Sequence, residues 1–268
     1  MPERGVVEPS APIAVDAVNV PAFALTEDYD PFESDLHQHH RHQLLYAVSG
    51  TLSLEAEGSV WLLPPQRAAW IGAEVPHRAW ARQPVAMRTV FFRPEAFSTA
   101  PRARCCVFSV DALAREMIVY AMRWQGELEP SEEVVARPFF EALAALCTQW
   151  SAAPAPWRLP APRSPLVARA MGHVQDHLDG ALTLAVVAEK VGASSRTLSR
   201  RFSTEAGMSW GQYVRRARIV KAMELLLQPG YSVTEVAFSV GFESPGAFTH
   251  AFKALTGQRP RDYRTAPR

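Results

Sequence analysis

The chain has 268 residues, 48% of them apolar, with 28 Lys and Arg against 27 Asp and Glu, a net charge of +1. That is enough material for two domains with ordinary globular cores. Three cysteines exclude a disulfide framework, and no apolar run approaches the roughly 18 residues of a membrane span. The N-terminus lacks a basic-then-apolar leader, so a cytoplasmic protein is expected. The small net charge hides an asymmetry: from Ser164 onward 14 Lys and Arg face 8 Asp and Glu, whereas before it 14 face 19. A basic part beside an acidic part points to one nucleic-acid-facing domain and one with another task.

Residues 1–20, rich in proline and alanine, read as a loose tail, and residues 21–150 as a β-rich unit closed by a helical hairpin. Segments 43–48, 51–57, 59–63, 68–71, 77–81 and 86–92 alternate apolar and polar residues between turn dipeptides, which predicts a small sandwich or barrel. At its start stand His37, His39, His40, His42 and Gln43. On a strand His37 and His39 share one face, while His40 and His42 point the other way and are expected in solvent. Gly50 follows, and a separate His77. The spacing resembles the cupin pattern of His-x-His, three residues, Glu, six residues, Gly, and a later motif ending in His. Gln43 stands at the carboxylate position. The resemblance implies a barrel in which His37, His39, Gln43 and His77 face inward around one divalent metal: Ni, Co, Zn or Fe. The residues by themselves equally suit a metal-free pocket for a sugar or organic acid. Leu44, Tyr46, Trp61, Trp70, Trp80 and Phe92 either line such a pocket or fill a core. Adjacent Cys105 and Cys106, with Cys147, are either reactive thiols or small buried apolar residues.

Residues 110–125 and 131–150 read as antiparallel helices joined by a short turn. Their stripes, Leu113, Met117, Ala121 and Trp124 on one and Val135, Phe139, Leu143 and Leu146 on the other, suit a core layer, a dimer seam, or both. Residues 151–164, with four prolines, read as an extended linker.

Residues 165–268 contain a repeat. Val187, Ala188, Val191 and Gly192 recur 49 positions later as Val236, Ala237, Val240 and Gly241; Leu198, Phe202, Gly207 and Tyr213 recur 50 positions later as Phe248, Phe252, Gly257 and Tyr263. One residue is therefore inserted after Gly241, in a turn. Each copy reads as helix, tight turn, helix. Thr183, Ser194 and Ser244 are the expected caps, and Pro245 a first helical residue. Between the copies, 210–227 reads as a strut; 15 residues of helix would span roughly 22 Å. This is helix-turn-helix grammar, in which the second helix of each copy enters a DNA major groove.

Residues 166–264 resemble the paired helix-turn-helix domain of the AraC family of bacterial transcription regulators, and with the N-terminal pattern the resemblance covers about residues 30–264. It implies a multidomain α and β protein: an N-terminal cupin-like β-barrel with a helical hairpin, then a C-terminal all-α domain with two helix-turn-helix motifs. Arg196, Ser199 and Arg200 are the candidate base readers of the first copy, Thr249 and His250 those of the second. Arg201, Arg215, Arg218, Lys221 and Lys253 are candidates for phosphates. The expected partners are duplex DNA, a small-molecule or metal effector, a second copy in a homodimer, and RNA polymerase if the protein activates. Two other readings compete. One is a cupin metalloenzyme, an isomerase or dioxygenase, fused to a DNA-binding module; no further paired carboxylates or nucleophile–base set accompany the histidines. The other is an architectural DNA binder without an effector.

Overall fold

The structure, a computed structural model, describes residues 14–126, 128–152, 158–228 and 230–265. Its N-terminal part is built from β1 (Ala22–Tyr29), β2 (Phe32–Glu33), β3 (His42–Ser49), β4 (Leu52–Ala56), β5 (Ser59–Leu63), β6 (Arg67–Ile71), β7 (His77–Ala81), β8 (Val85–Phe92), β9 (Cys105–Ser109) and β10 (Arg158–Pro160). They form two antiparallel sheets, β1-β8-β3-β6-β9 and β10-β5-β4-β7-β2. Four strands, β1, β2, β9 and β10, are additions to the sequence expectation.

Period two sorts the side chains of the first sheet between two cores. Leu45, Ala69, Ile71 and Val107 face Leu54, Trp61 and Leu63 of the second sheet. Leu44, Tyr46, Trp70, Phe92 and Phe108 face α1 (Ala112–Ala121) and α2 (Pro130–Ser151), meeting Ile118, Phe140 and Leu143. Covered on both sides, β6 is buried throughout, which is why its sequence does not alternate. The aromatic residues named as pocket candidates are therefore core, from Tyr46 and Trp70 at 0% to Trp61 at 5% exposure. Trp80 is the exception, on the outer face of the second sheet.

The hairpin lies flat on the first sheet, and each expected stripe divides between core and solvent. Ala121, Trp124 and Leu143 are buried, whereas Leu113 and Val135 are each 55% exposed, beside Val134 and Tyr120. The buried row of α1 is Ala114, Ile118 and Ala121, phased by the Asp111 cap on Ala114 N–H.

Part of the expected tail is pinned. Asp16 accepts from the His40 N–H at 3.0 Å, and buried Arg41 donates to the carbonyls of Val18 and Val20. The expected linker changes character too. Residues 153–157 lie outside the described residues, but β10 pairs with β5, and Leu159 joins the core of the first helix-turn-helix.

The C-terminal part comprises α3 (Pro165–Asp176), α4 (Leu184–Lys190), α5 (Ser195–Ala206), α6 (Trp210–Leu227), α7 (Val233–Ser239), α8 (Pro245–Thr256) and α9 (Pro260–Thr265). The Thr183, Ser194 and Ser244 side chains accept from the N–H three residues on, satisfying donors that a helix start leaves free. Helix α6 supplies Tyr213, Val214 and Ala217 to the first core and Ile219, Ala222, Met223 and Leu226 to the second. The repeat survives in detail: Phe202 meets Tyr213 at 5.2 Å between ring centroids, and Phe252 meets Tyr263 at 5.4 Å.

Two turn glycines differ in their surroundings. Gly192 has φ of +69° and open space around it. Gly241 has φ of +83°, and a Cβ there would lie 2.3 Å from the Leu178 carbonyl oxygen and 2.7 Å from an Arg218 nitrogen. Gly192→Ala is thus expected to lower the unfolding free energy by the left-handed backbone cost, about 1–2 kcal/mol. Gly241→Ala should cost clearly more, because backbone and guanidinium must also move. Urea unfolding of both variants checks this, and equal losses would show that the turn at Gly241 yields freely.

Candidate functional site

The histidines come together through one backbone bridge. His37, which lies outside any strand, and His77, the first residue of β7, exchange N–H to carbonyl bonds of 3.0 and 2.9 Å. Directly paired residues project side by side, and the two rings sit 4.4 Å apart, with His39 5.1 Å from His77. One ring nitrogen from each of the three lies within 4.8 Å of the others. His39 and His77 are buried and His37 is exposed, so the cluster opens to solvent on one side.

Each ring is oriented by a backbone carbonyl at Nδ1: Asp35 for His37 at 2.9 Å, Arg41 for His39 at 2.8 Å, Val75 for His77 at 2.8 Å. With a proton on Nδ1, each Nε2 carries a lone pair. The His77 Nε2 is buried and has no hydrogen-bond partner. The His39 Nε2 faces Gln43 Oε1 at 3.2 Å. Two acceptors at that distance are held together either by a turned amide that offers its NH2 or by a shared cation. Burial lowers the pKa of His77 to about 4 and that of His39 also, favouring the neutral rings that ligate metals. Nitrogens bound to one first-row ion at about 2.1 Å stand roughly 3.0–3.4 Å apart, so rings spread within 4.8 Å would close in by up to roughly 1.5 Å around an ion.

Of the other two histidines, only His42 departs from the solvent expectation. His42 is half-buried, its Nδ1 accepts from the Ala73 N–H at 2.9 Å, and its ring lies 5.2 Å from Trp70. His40 is exposed but paired with Glu74, which raises its pKa. Alternation holds for His42, which shares the face of Leu44 and Tyr46, but that face is covered by the helical hairpin instead of water. The cysteines are buried or half-buried, and burial pushes all three thiols up, away from the thiolate.

On the helical part, Arg196, Ser199, Arg200 and Arg201 of α5 are exposed on the side away from Leu198 and Phe202. On α8, His250 and Lys253 are exposed and Thr249 is half-buried, opposite Phe248 and Phe252. Arg215 of α6 is also exposed. Two phosphate candidates are committed elsewhere. Arg218 donates to the carbonyls of Leu178 and Gly180, both at 3.0 Å, and so ties the end of α3 to the strut. Lys221 pairs with Glu224 at 3.0 Å and faces a cleft of about 560 Å³ between α6 and the second sheet, where Ser53, Leu62 and Trp80 form the opposite wall. The partners of Arg218 and the cleft wall facing Lys221 are remote in sequence, so a helical wheel alone placed both outward.

Contacts between the two parts went unread in the sequence. Arg216 donates to the Arg158 carbonyl at 3.0 Å, and Glu205 accepts from Arg163 and Ser164. Arg67, 3% exposed, faces Tyr263, and burial brings its pKa down to about 10. An arginine opening an otherwise apolar buried run was the available signal.

Comparison with known proteins agrees with this architecture. Residues 20–152 match the AraC-like ligand binding domain family, and residues 187–266 match a helix-turn-helix domain family. The HTH-type transcriptional regulator NimR of Escherichia coli (strain K12) is 30% identical over 247 residues, 90% of this chain and 86% of that protein. The HTH-type transcriptional activator RhaS of Escherichia fergusonii is 35% identical over 91 residues, about a third of each protein. Among solved structures, the C-terminal domain of AraT, a response regulator from Geobacillus stearothermophilus, is 37% identical with a TM-score of 0.38, over 40% of this chain and 89% of that one. A ligand-binding β domain joined to paired DNA-binding helix-turn-helix motifs, with a relative matched over nearly its whole length, makes this chain an AraC-family transcription regulator.

Proposed function

We propose that the regulator senses a divalent cation held by His37, His39 and His77, with the Gln43 amide oxygen beside them, and that occupancy alters its action on DNA. The observation that carries this is the orientation of the three imidazoles. Every Nδ1 is engaged by a backbone carbonyl, which leaves three Nε2 lone pairs for one small region, the buried one on His77 without a partner. An unsatisfied buried group costs about 1–3 kcal/mol, which a ligand there would recover. Backbone bonds behind ligating histidines are the usual outer support of a metal site. Neutral imidazoles with one oxygen suit Ni, Co, Zn or Fe.

The reading is of a sensor without turnover. Phe91 lies against His39, and the nearby carboxylate of Glu74 is engaged by His40 and Gln38. In this reading the protein acts in the cytoplasm; among the described residues no helix is long and apolar enough to cross a membrane. It pairs with a second copy through the exposed Leu113, Tyr120, Val134 and Val135, and meets RNA polymerase where it activates. Arg196, Ser199 and Arg200 of α5 read bases, Thr249 and His250 lie at the matching places of α8, and Arg201, Arg215 and Lys253 hold phosphates.

Full-length protein loaded with Ni, Co, Zn or Fe and desalted should retain about one metal per chain, and H37A/H39A should retain none while still binding DNA. Retention below one metal per several chains would remove the cation from the proposal. V134E/V135E should shift the full chain from dimer to monomer in sedimentation; a wild type already monomeric at tens of micromolar would refute the seam. R201A and R215A should each flatten the slope of log K against log salt by about 0.9, one phosphate's worth. R218A should leave that slope unchanged, since its guanidinium holds carbonyls.

A further inference from the structure

The two groove-facing helices can be superposed in sequence. Both α5 and α8 have 12 residues, both start from a serine cap, and both end on a left-handed glycine, Gly207 and Gly257. At their spacing of 50, Arg196 corresponds to Gly246, Ser199 to Thr249, Arg200 to His250, Arg201 to Ala251 and Ser203 to Lys253. The frames are alike and the side chains are not. Arg196 and Arg200 are one helical turn apart, exposed, and each can offer a guanine two parallel hydrogen bonds. At the matching places α8 presents no side chain at Gly246 and a single imidazole edge at His250. Ala247 beside them is exposed but has no polar atom, and Thr249 is half-buried. Lys253, exposed further along, is a point charge, suited to a phosphate.

We infer that the DNA site is bipartite with unequal halves: the half under α5 is specified by guanine-bearing base pairs read by Arg196 and Arg200, and the half under α8 is held through its phosphates and tolerates base changes. The inference rests on the reading of α5 and α8 as the helices that enter the groove. The asymmetry is not imposed by space. A Cβ at Gly246 would meet nothing within 4 Å, and Gly246 is outside the left-handed region, so the backbone of α8 would accept a long side chain there.

The test is selection of duplexes from a randomised library by the full-length protein. Affinities are then measured at fixed salt for every single-base change in the best site. One block of positions should lose about 5- to 150-fold on changing a guanine, and a second block, about one helical turn away, should be far less sensitive. R196A and R200A should blunt the first block, and the double variant G246R/H250R should sharpen the second. Two blocks of equal sharpness, or a first block still sharp in both arginine variants, would overturn the inference alone. A second block that stays blunt in G246R/H250R would overturn it as well, by showing that α8 does not reach base edges. Binding without preference for any duplex would overturn the groove reading with it.

Discussion

The geometry of the DNA-binding half depends on one helix belonging to two cores at once. Helix α6 sends Tyr213 and Ala217 into the first and Ile219, Met223 and Leu226 into the second. Its 18 residues amount to about 27 Å of rise. Each buried row is fixed in azimuth by the helical period, so α5 and α8 take their mutual orientation from the count of residues between Tyr213 and Leu226. Arg218 lies between the two rows. It reaches back to the Leu178 and Gly180 carbonyls and lies against Gly241 of the second motif, so one side chain braces the two motifs together.

The sequence revealed the features that are decided locally. The serine and threonine caps, the turn glycines, the proline opening α8 and the inward Leu198, Phe202, Phe248 and Phe252 are each set by near neighbours and by helical period. The repeat then doubled that signal. Features decided by distant partners were not legible. Arg218 looked outward on a wheel, but its partners lie 38 and 40 residues away. Lys221 faces a cleft wall supplied by the other part of the chain. Residues 14–20 look like a tail in composition, and their tie to Arg41 and Arg93 exists only once β3 and β8 are paired.

The histidine cluster lies between these extremes. Spacing two apart suggested a shared face for His37 and His39, and the outcome agrees for a different physical reason. The chain there is not a strand, and a single bridge to His77 aligns the rings. His42 lies by plain alternation on the face of Leu44 and Tyr46, against Trp70, and that face is covered by the hairpin instead of water. Glu74 in the facing loop has φ of +61°, a strained choice for a side chain with a Cβ, and its backbone N–H is bonded to the His39 carbonyl. The loop that delivers His77 is thus held against the loop that delivers His39.

Strand β10 has three residues, forms one edge of its sheet, and ends on a proline that has no N–H to give. Such a strand adds few hydrogen bonds, yet it carries Leu159 into the helical core and offers the Arg158 carbonyl to Arg216. The two halves are therefore kept together as much by covalent proximity, a high effective concentration, as by the strength of their contact. Interfaces between domains of one chain commonly exchange between arrangements without either half unfolding. The 1–3 kcal/mol typical of coupling between two sites is on the scale needed to tip such an exchange.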